Sequence, residues 1–160
     1  MILKLGEVTI ELTDSVMKKL KNYVQDKGSN ESGGILLGGY IPDEKKYIIT
    51  DISVPCKKDF QSPILFIRNR KNAQKIIDRF WKQSNGKINY LGEWHTHSCE
   101  MPYPSFVDKA LLRTIISDRS NVWNEIFMLI LGQNNTFYLG MSNTNNHGTI
   151  INEVQVKGEL

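Results

Sequence analysis

Three side chains near the middle of this chain have the types and the spacing to hold a metal ion. His95 and His97 are separated by one residue, and Asp108 follows a seven-residue loop and Ser105. In an extended strand, alternate side chains share a face about 6.6–7 Å apart, so the two imidazoles converge while Thr96 between them points away. Pro104-Ser105 has the form of a helix start, with Ser105 at the cap and Asp108 in the first turn. Two imidazoles and one carboxylate leave a fourth position for water. That is the pattern of a catalytic zinc site with one ion per chain, not of a closed structural site. A His-x-His pair alone is ordinary at half-buried strand positions. The acid at the mouth of the next helix decides for metal, because a capping box prefers Glu or Gln where Asp108 stands.

Two further groups belong to the same neighbourhood. The Ser105 hydroxyl sits on the metal side of the helix mouth, where it can donate to an oxyanion, and helix capping competes for the same group. By strand alternation Glu93 shares a face with His95 and His97, but its position two residues earlier on the same strand directs it away from the open coordination position. It is expected behind the ligands, orienting a histidine N–H. Cys99, two residues past His97, has the weight of a small loop residue, since another protein ligand would close the position that catalysis needs. His147 lies in an Asn-rich turn without a partner at metal spacing, which argues against a second, structural zinc.

These groups need a strand, a loop and a helix to present them, and the pattern supplies all three. Ile88–His97 is the presenting strand. Ser105–Ser117 is an amphipathic helix whose Val107, Leu111, Leu112, Ile115 and Ile116 are expected to face the core. Upstream, Ile2–Leu12 alternates as a strand or a hairpin broken at Gly6. A helix opens at Thr13-Asp14-Ser15 and ends at Gly28. Gly33–Ile41 is apolar on both faces and therefore central, Tyr47–Val54 is the next strand, Pro55–Ser62 a polar loop and Pro63–Arg68 a short strand. Lys71–Gln83 is an amphipathic helix carrying Ile76, Ile77, Phe80 and Trp81. Glu125–Leu131, Thr136–Met141 and Thr149–Val156 complete the strands, the last an alternating edge. Strands interleave with helices, so the fold class is α/β with a mixed sheet flanked by helices.

Composition bounds the rest. A length of 160 residues suits one domain, 1–160, with a single core. The charge balance of 20 basic against 17 acidic residues, net +3, gives no footprint for nucleic acid. No apolar run approaches the roughly 20 residues needed to cross a bilayer, and the start lacks a signal-peptide pattern, so no membrane role and a cytoplasmic location are expected. Cys56 and Cys99 are not in a Cys-x-x-Cys pair, and reduced thiols are expected. A zinc nucleobase deaminase is disfavoured, because the Pro-Cys-x-x-Cys ligand run is missing. Oligomeric state and the identity of the substrate are not written in the residues.

His95-x-His97, seven residues, then Ser105-x-x-Asp108 resembles the JAMM motif of the JAB/MPN metallo-isopeptidases. Glu31-Ser32-Gly33-Gly34-Ile35-Leu36-Leu37-Gly38 is similar to that family's upstream Glu-x-x-Gly-x-Leu-x-Gly element. The short form and the Gly-Glu-Trp-His-Thr-His wording look most like the bacterial stand-alone members, in particular the JAB proteases of CBASS anti-phage operons. The resemblance implies the cytidine-deaminase-like JAB/MPN fold and zinc on His95, His97 and Asp108. It implies Glu31 as general base and acid, and hydrolysis of the amide after the C-terminal tail of a ubiquitin-like modifier, or of a protein conjugated in ubiquitin-like manner. It also implies that the tail lies extended beside the groove, gripped around Tyr47–Val54 and Pro55–Ser62. Trimming of a sulfur-carrier protein is the alternative within the same chemistry, and a non-catalytic MPN scaffold the alternative outside it. The family often has Pro where Ser98 follows the second His here; Pro102 and Pro104 can restore stiffness to that loop.

Overall fold

The strand that carries both histidines, β7 (Asn89–Thr96), lies inside an eight-stranded mixed sheet. The structure is a computed structural model describing residues 1–117 and 123–158. In chain order the other elements are β1 (Ile2–Leu5), β2 (Val8–Leu12), α1 (Asp14–Lys21), β3 (Gly33–Ile41), β4 (Lys46–Ile52), β5 (Phe60–Ser62), β6 (Leu65–Ile67), α2 (Arg70–Gln83), α3 (Phe106–Ser117), β8 (Glu125–Leu131), β9 (Thr136–Asn143) and β10 (Ile150–Lys157). The sheet order is β1-β2-β4-β3-β7-β8-β9-β10, parallel at β2/β4 and β7/β8 and antiparallel elsewhere, with β5 and β6 forming a separate hairpin. The expected α/β mixed sheet with flanking helices is what the chain adopts.

Alternation assigns the helices to faces. Leu36, Trp94 and Leu129 pack on one side with Val16, Met17 and Leu20 of α1. Ile35 and Leu37 meet Ala73, Ile76, Ile77 and Phe80 of α2. Ile126, Met128 and Ile130 meet Leu112, Ile115 and Ile116 of α3. Each fully buried Leu or Ile contributes about 1.5–3 kcal/mol of transfer free energy, so the sheet between two helical layers holds the fold.

Several expectations need correction. α1 stops at Lys21, not at Gly28: Asn22 closes it, and Tyr23 and Val24 reach the core from the loop, Tyr23 edge-on to Trp94 at 5.4 Å. Val16, Leu20, Tyr23 and Val24 recur at helical spacing in the sequence, and for the last two that spacing reports burial, not helix. In α3, Val107 (55% exposed) and Leu111 (41%) leave the core, as Trp81 (44%) does in α2, because the apolar stripe of each helix is wider than the face the sheet covers. Pro55–Ser62 is not all loop, since its last three residues pair with β6.

One irregularity aims the site. β7 carries a bulge against β3: Leu36 pairs with Gly92 and Leu37 with Tyr90, leaving Leu91 as the extra residue. Plain alternation would put Tyr90 and Glu93 on opposite faces. The bulge places them on the same one, and the Tyr90 hydroxyl donates to Glu93. Gly92 has φ +150, and a Cβ there would stand 1.9 Å from the Phe127 carbonyl oxygen. Gly92→Ala is therefore expected to cost at least about 2 kcal/mol and lower Tm by about 4–8 °C. Gly28→Ala, with φ +87 and open space around it, should cost clearly less. Thermal melts of both variants check this; equal losses would remove the bulge from the account.

Candidate active site

Strand pairing brings the five residues together. β3 runs antiparallel to β7 with Gly33 opposite His95, so Glu31, two residues before Gly33, falls beside His97, two residues after His95. The parallel β7–α3–β8 crossover puts the carboxyl end of β7 next to the start of α3, the place where α/β sheets leave a crevice. Asp108, in the first turn of α3, meets the histidines there.

The distances fit a tetrahedral ion. His95 Nε2 and His97 Nε2 are 3.2 Å apart, His95 Nε2 and Asp108 Oδ1 3.3 Å, and His97 Nε2 and Asp108 Oδ2 3.6 Å. Ligand bonds of about 2.0–2.2 Å give a tetrahedron with edges of about 3.3–3.6 Å. The two ring nitrogens lie at such a separation from each other, each faces a different oxygen of Asp108 at a similar one, and among the described residues His95, His97 and Asp108 are the group able to hold a metal ion. Glu31 approaches this group from the neighbouring strand, its Oε1 3.9 Å from His97 Nε2.

Electrostatics suit the same task. Burial, helped by the charge of His95, pushes His97 down to about 4 against the pull of Asp108, so its ring is neutral and free to ligate at neutral pH. Burial pushes Asp108 up, but the hydrogen bond and charge of His95 and the hydrogen bonds from Ser105 outweigh it and hold the carboxyl well below the usual range. Burial drives Glu31 up to about 7, with Asp108 adding to the rise and His95 and the Phe66 backbone N–H opposing it. A carboxyl poised there can both take and return a proton near neutrality.

Ser105 and Asp108 form a reciprocal capping box. The Ser105 backbone N–H donates to Asp108 Oδ2 at 2.6 Å, and the Asp108 N–H donates to Ser105 Oγ at 3.2 Å. Asp108 therefore serves the helix as well as Glu or Gln would, contrary to the expectation from cap statistics. The competition expected at Ser105 also dissolves. As a cap its oxygen accepts, which leaves the hydroxyl proton available to donate.

Glu93 is buried on the ligand face, but its partners are not a histidine. Arg68 Nε donates to both carboxylate oxygens, at 2.7 and 2.9 Å, and Tyr90 Oη donates to Oε1 at 2.7 Å. Sequence pattern missed Arg68 and Tyr90. Arg68 lies past a short hairpin with no motif around it, and Tyr90 joins the face only through the bulge, which Gly92 signals. The cluster floors a cleft of about 540 Å³ that runs from Glu31, His95 and Asp108 between α2 and α3, with Ile77, Trp81 and Leu111 among its apolar walls. Glu93 is buried and Arg68 half-buried, so removing the arginine strands the carboxylate. Arg68→Met is expected to destabilise the protein by about 3 kcal/mol, and adding Glu93→Gln to recover most of it, as chemical denaturation of the two single variants and the double will show. Additive losses would mean the pair is not coupled.

Residues 13–144 match the family described as prokaryotic homologs of the JAB domain. A protein of Escherichia coli (strain TW11681) named CD-NTase/cGAS isopeptidase is 34% identical over 129 residues, 78% of this chain and 76% of that protein. One from Sinorhizobium fredii, named a probable metalloprotease, is 31% identical over 104 residues, 64% of this chain and 63% of its own. A solution structure of a protein from Desulfitobacterium hafniense superposes with a TM-score of 0.60 at 18% identity, covering 92% of this chain and 90% of that one, which speaks for the fold alone. With four-fifths of its length matched and a relative above 30% identity, this chain belongs to the family of prokaryotic homologs of the JAB domain.

Proposed function

We propose that this chain is a zinc-dependent isopeptidase in which His95, His97 and Asp108 hold the ion, Glu31 moves the proton and Ser105 steadies the oxyanion. The observation that carries the reading is the convergence of His95, His97 and the Asp108 carboxylate on one point, with Glu31 reaching in from the adjacent strand. A zinc ion held there supplies Lewis acidity and brings the pKa of a water toward neutrality. Glu31, reaching in from the adjacent strand, accepts a proton from the attacking water and returns it to the departing amine. Ser105 donates its free O–H to the oxyanion of the tetrahedral intermediate while its oxygen keeps capping α3. Glu93 fixes the floor beneath His95 through Arg68 and Tyr90.

The substrate is a protein conjugated through an isopeptide bond. The relatives' name suggests a CD-NTase/cGAS-type protein, and the JAMM motif resemblance adds a C-terminal tail joined to a target in ubiquitin-like manner, in bacterial anti-phage defence. A grip on Tyr47–Val54 by strand addition is confined to its later residues, because β4 pairs with β3 on one side and with β2 from Lys46 to Ile49 on the other. The β5–β6 hairpin offers an edge beside the cleft: the Ser62 carbonyl in β5 accepts the Glu31 N–H, and Phe66, Ile67 and Arg68 line the cleft. A tail adding to β6 would run along the cleft toward the metal ligands. Residues 1–160 act as one catalytic domain, with the sheet continuous from β1 to β10. No helix among the described residues is long and apolar enough to cross a membrane, and a cytoplasmic location remains part of the proposal.

Purified protein is expected to carry about one zinc per chain, with His95→Ala plus His97→Ala losing it. Glu31→Gln should keep the zinc and hydrolyse an isopeptide-linked conjugate at well under a hundredth of the wild-type rate, on the order expected for losing a general base. Elemental analysis beside a cleavage assay tests both; zinc-free wild type that still cleaves, or an active Glu31→Gln, would overturn the assignment. Ser105→Ala is expected to lower kcat by about 10²–10³ with KM little changed, in addition to a cap loss of about 1 kcal/mol. Steady-state kinetics beside a thermal melt separates the two contributions, and a variant that loses only stability would reduce Ser105 to a cap.

A further inference from the structure

We propose that Gln25 is a positioning residue for the metal centre, acting through Thr96 and through the loop that delivers Glu31. The inference rests on the reading of His95, His97, Asp108 and Glu31 given above. Gln25 lies in the irregular stretch after α1, outside every motif and far in sequence from His95, His97 and Asp108, yet it is only 2% exposed. Its Oε1 accepts from Thr96 Oγ1 at 3.2 Å, and its Nε2 donates to the carbonyl oxygens of Ser29 at 2.8 Å and Pro63 at 3.1 Å. Its own carbonyl accepts from Gln133 Nε2 at 3.2 Å.

Each partner leads to the site in one step. Thr96 stands between the two ligand histidines, with its side chain on the opposite face of the strand. Its hydroxyl accepts from the Ser32 N–H at 3.0 Å and its backbone N–H donates to the Ser32 carbonyl at 2.9 Å, so Thr96 locks the metal strand to the residue after Glu31. Ser29 begins the loop that carries Glu31. Pro63 follows Ser62, whose carbonyl accepts the Glu31 N–H at 2.8 Å. One side chain thus holds the ligand strand, the loop bearing the proton carrier and the hairpin beside it in fixed relation. The chemistry asks for glutamine. Two carbonyls need a donor pair and a hydroxyl already accepting from Ser32 needs an acceptor, all at one neutral head group. Glutamate has no donor for the carbonyls and would bury a charge, and asparagine is one methylene shorter.

Gln25→Met keeps the length and removes the head group; Thr96→Val keeps the shape and removes the hydroxyl; Thr96→Ser keeps the hydroxyl. Zinc affinity of the full chain is measured by chelator competition with Zn²⁺ alone, kcat and KM at saturating zinc on an isopeptide-linked conjugate, and Tm on each variant. Gln25→Met and Thr96→Val are expected to bind zinc about 10–100-fold more weakly, the usual loss when an orienting group behind a metal ligand is removed. Their kcat should fall about tenfold or more with KM within about twofold, and Thr96→Ser should match wild type in both. A folded Gln25→Met with wild-type zinc affinity and kcat overturns the proposal, whatever its Tm. If that variant does not fold, Thr96→Val decides on the same terms. Wild type that binds no zinc defeats the underlying reading of the site and this proposal with it, whereas wild-type binding with unaltered variants defeats this proposal alone.

Discussion

Everything at the cleft hangs on the pairing of β3 with β7 in the register that sets Gly33 opposite His95. Sliding that register by one residue would turn Glu31 to the other face of the sheet and separate it from the histidines. The pairing admits no side chain at its critical point. A Cβ on Gly33 would stand 2.4 Å from the Phe66 ring and 2.7 Å from the Trp94 carbonyl, and one on Gly34 2.4 Å from the Ser53 carbonyl. Two glycines thus let the hairpin, β4 and β7 close around the start of β3. The Ser32–Thr96 bonds then extend the ladder one step past β3, to the edge of the site.

Burial converts that geometry into chemistry. His95, Glu31 and Glu93 are all nearly withdrawn from solvent, where an unpaired charge is costly. The protein answers differently at each. Glu93 is compensated by a guanidinium whose Nε–H is shared between both of its oxygens and by a phenol, so it is fixed in place. Asp108 is stabilised as an anion by the histidine and the cap. Glu31 receives less compensation, and burial lifts its carboxyl to about 7. Carboxylates in one site driven apart in basicity are the pattern that separates a ligand from a proton carrier.

How much of this was legible in the chain follows from the range of each interaction. His95, His97, Ser105 and Asp108 sit within a short stretch whose strand and helix periodicities are local, and the structure brings them together with Glu31. The sheet and its helices were also legible, because long apolar runs such as Glu125–Leu131 carry their own pattern. What was not legible is long-range. The inward turn of the stretch after α1 is held by Gln25 bonding to carbonyls of Ser29 and Pro63, and the partners of Glu93 depend on a bulge and on an arginine 25 residues upstream. The exposed Val107 and Leu111 show the same limit from the other side, since periodicity marks an apolar stripe without saying how much of it the sheet covers.

Structural and chemical roles are not rivals at the mouth of α3. A longer acid at position 108 could reach back to cap Ser105 equally well, but Asp108 caps with Oδ2 at 2.6 Å while Oδ1 lies 3.3 Å from His95. The backbone N–H that satisfies the cap also lowers the basicity of the carboxyl, and the helix N-terminus favours the same anionic form. A ligand held deprotonated by its own helix needs no proton removed before a cation binds. Ser105 completes the exchange, giving its oxygen to the Asp108 N–H and keeping its proton for the cleft. The interactions that start the helix are therefore the ones that prepare both residues, and a substitution there that disturbed only folding or only catalysis would contradict the geometry.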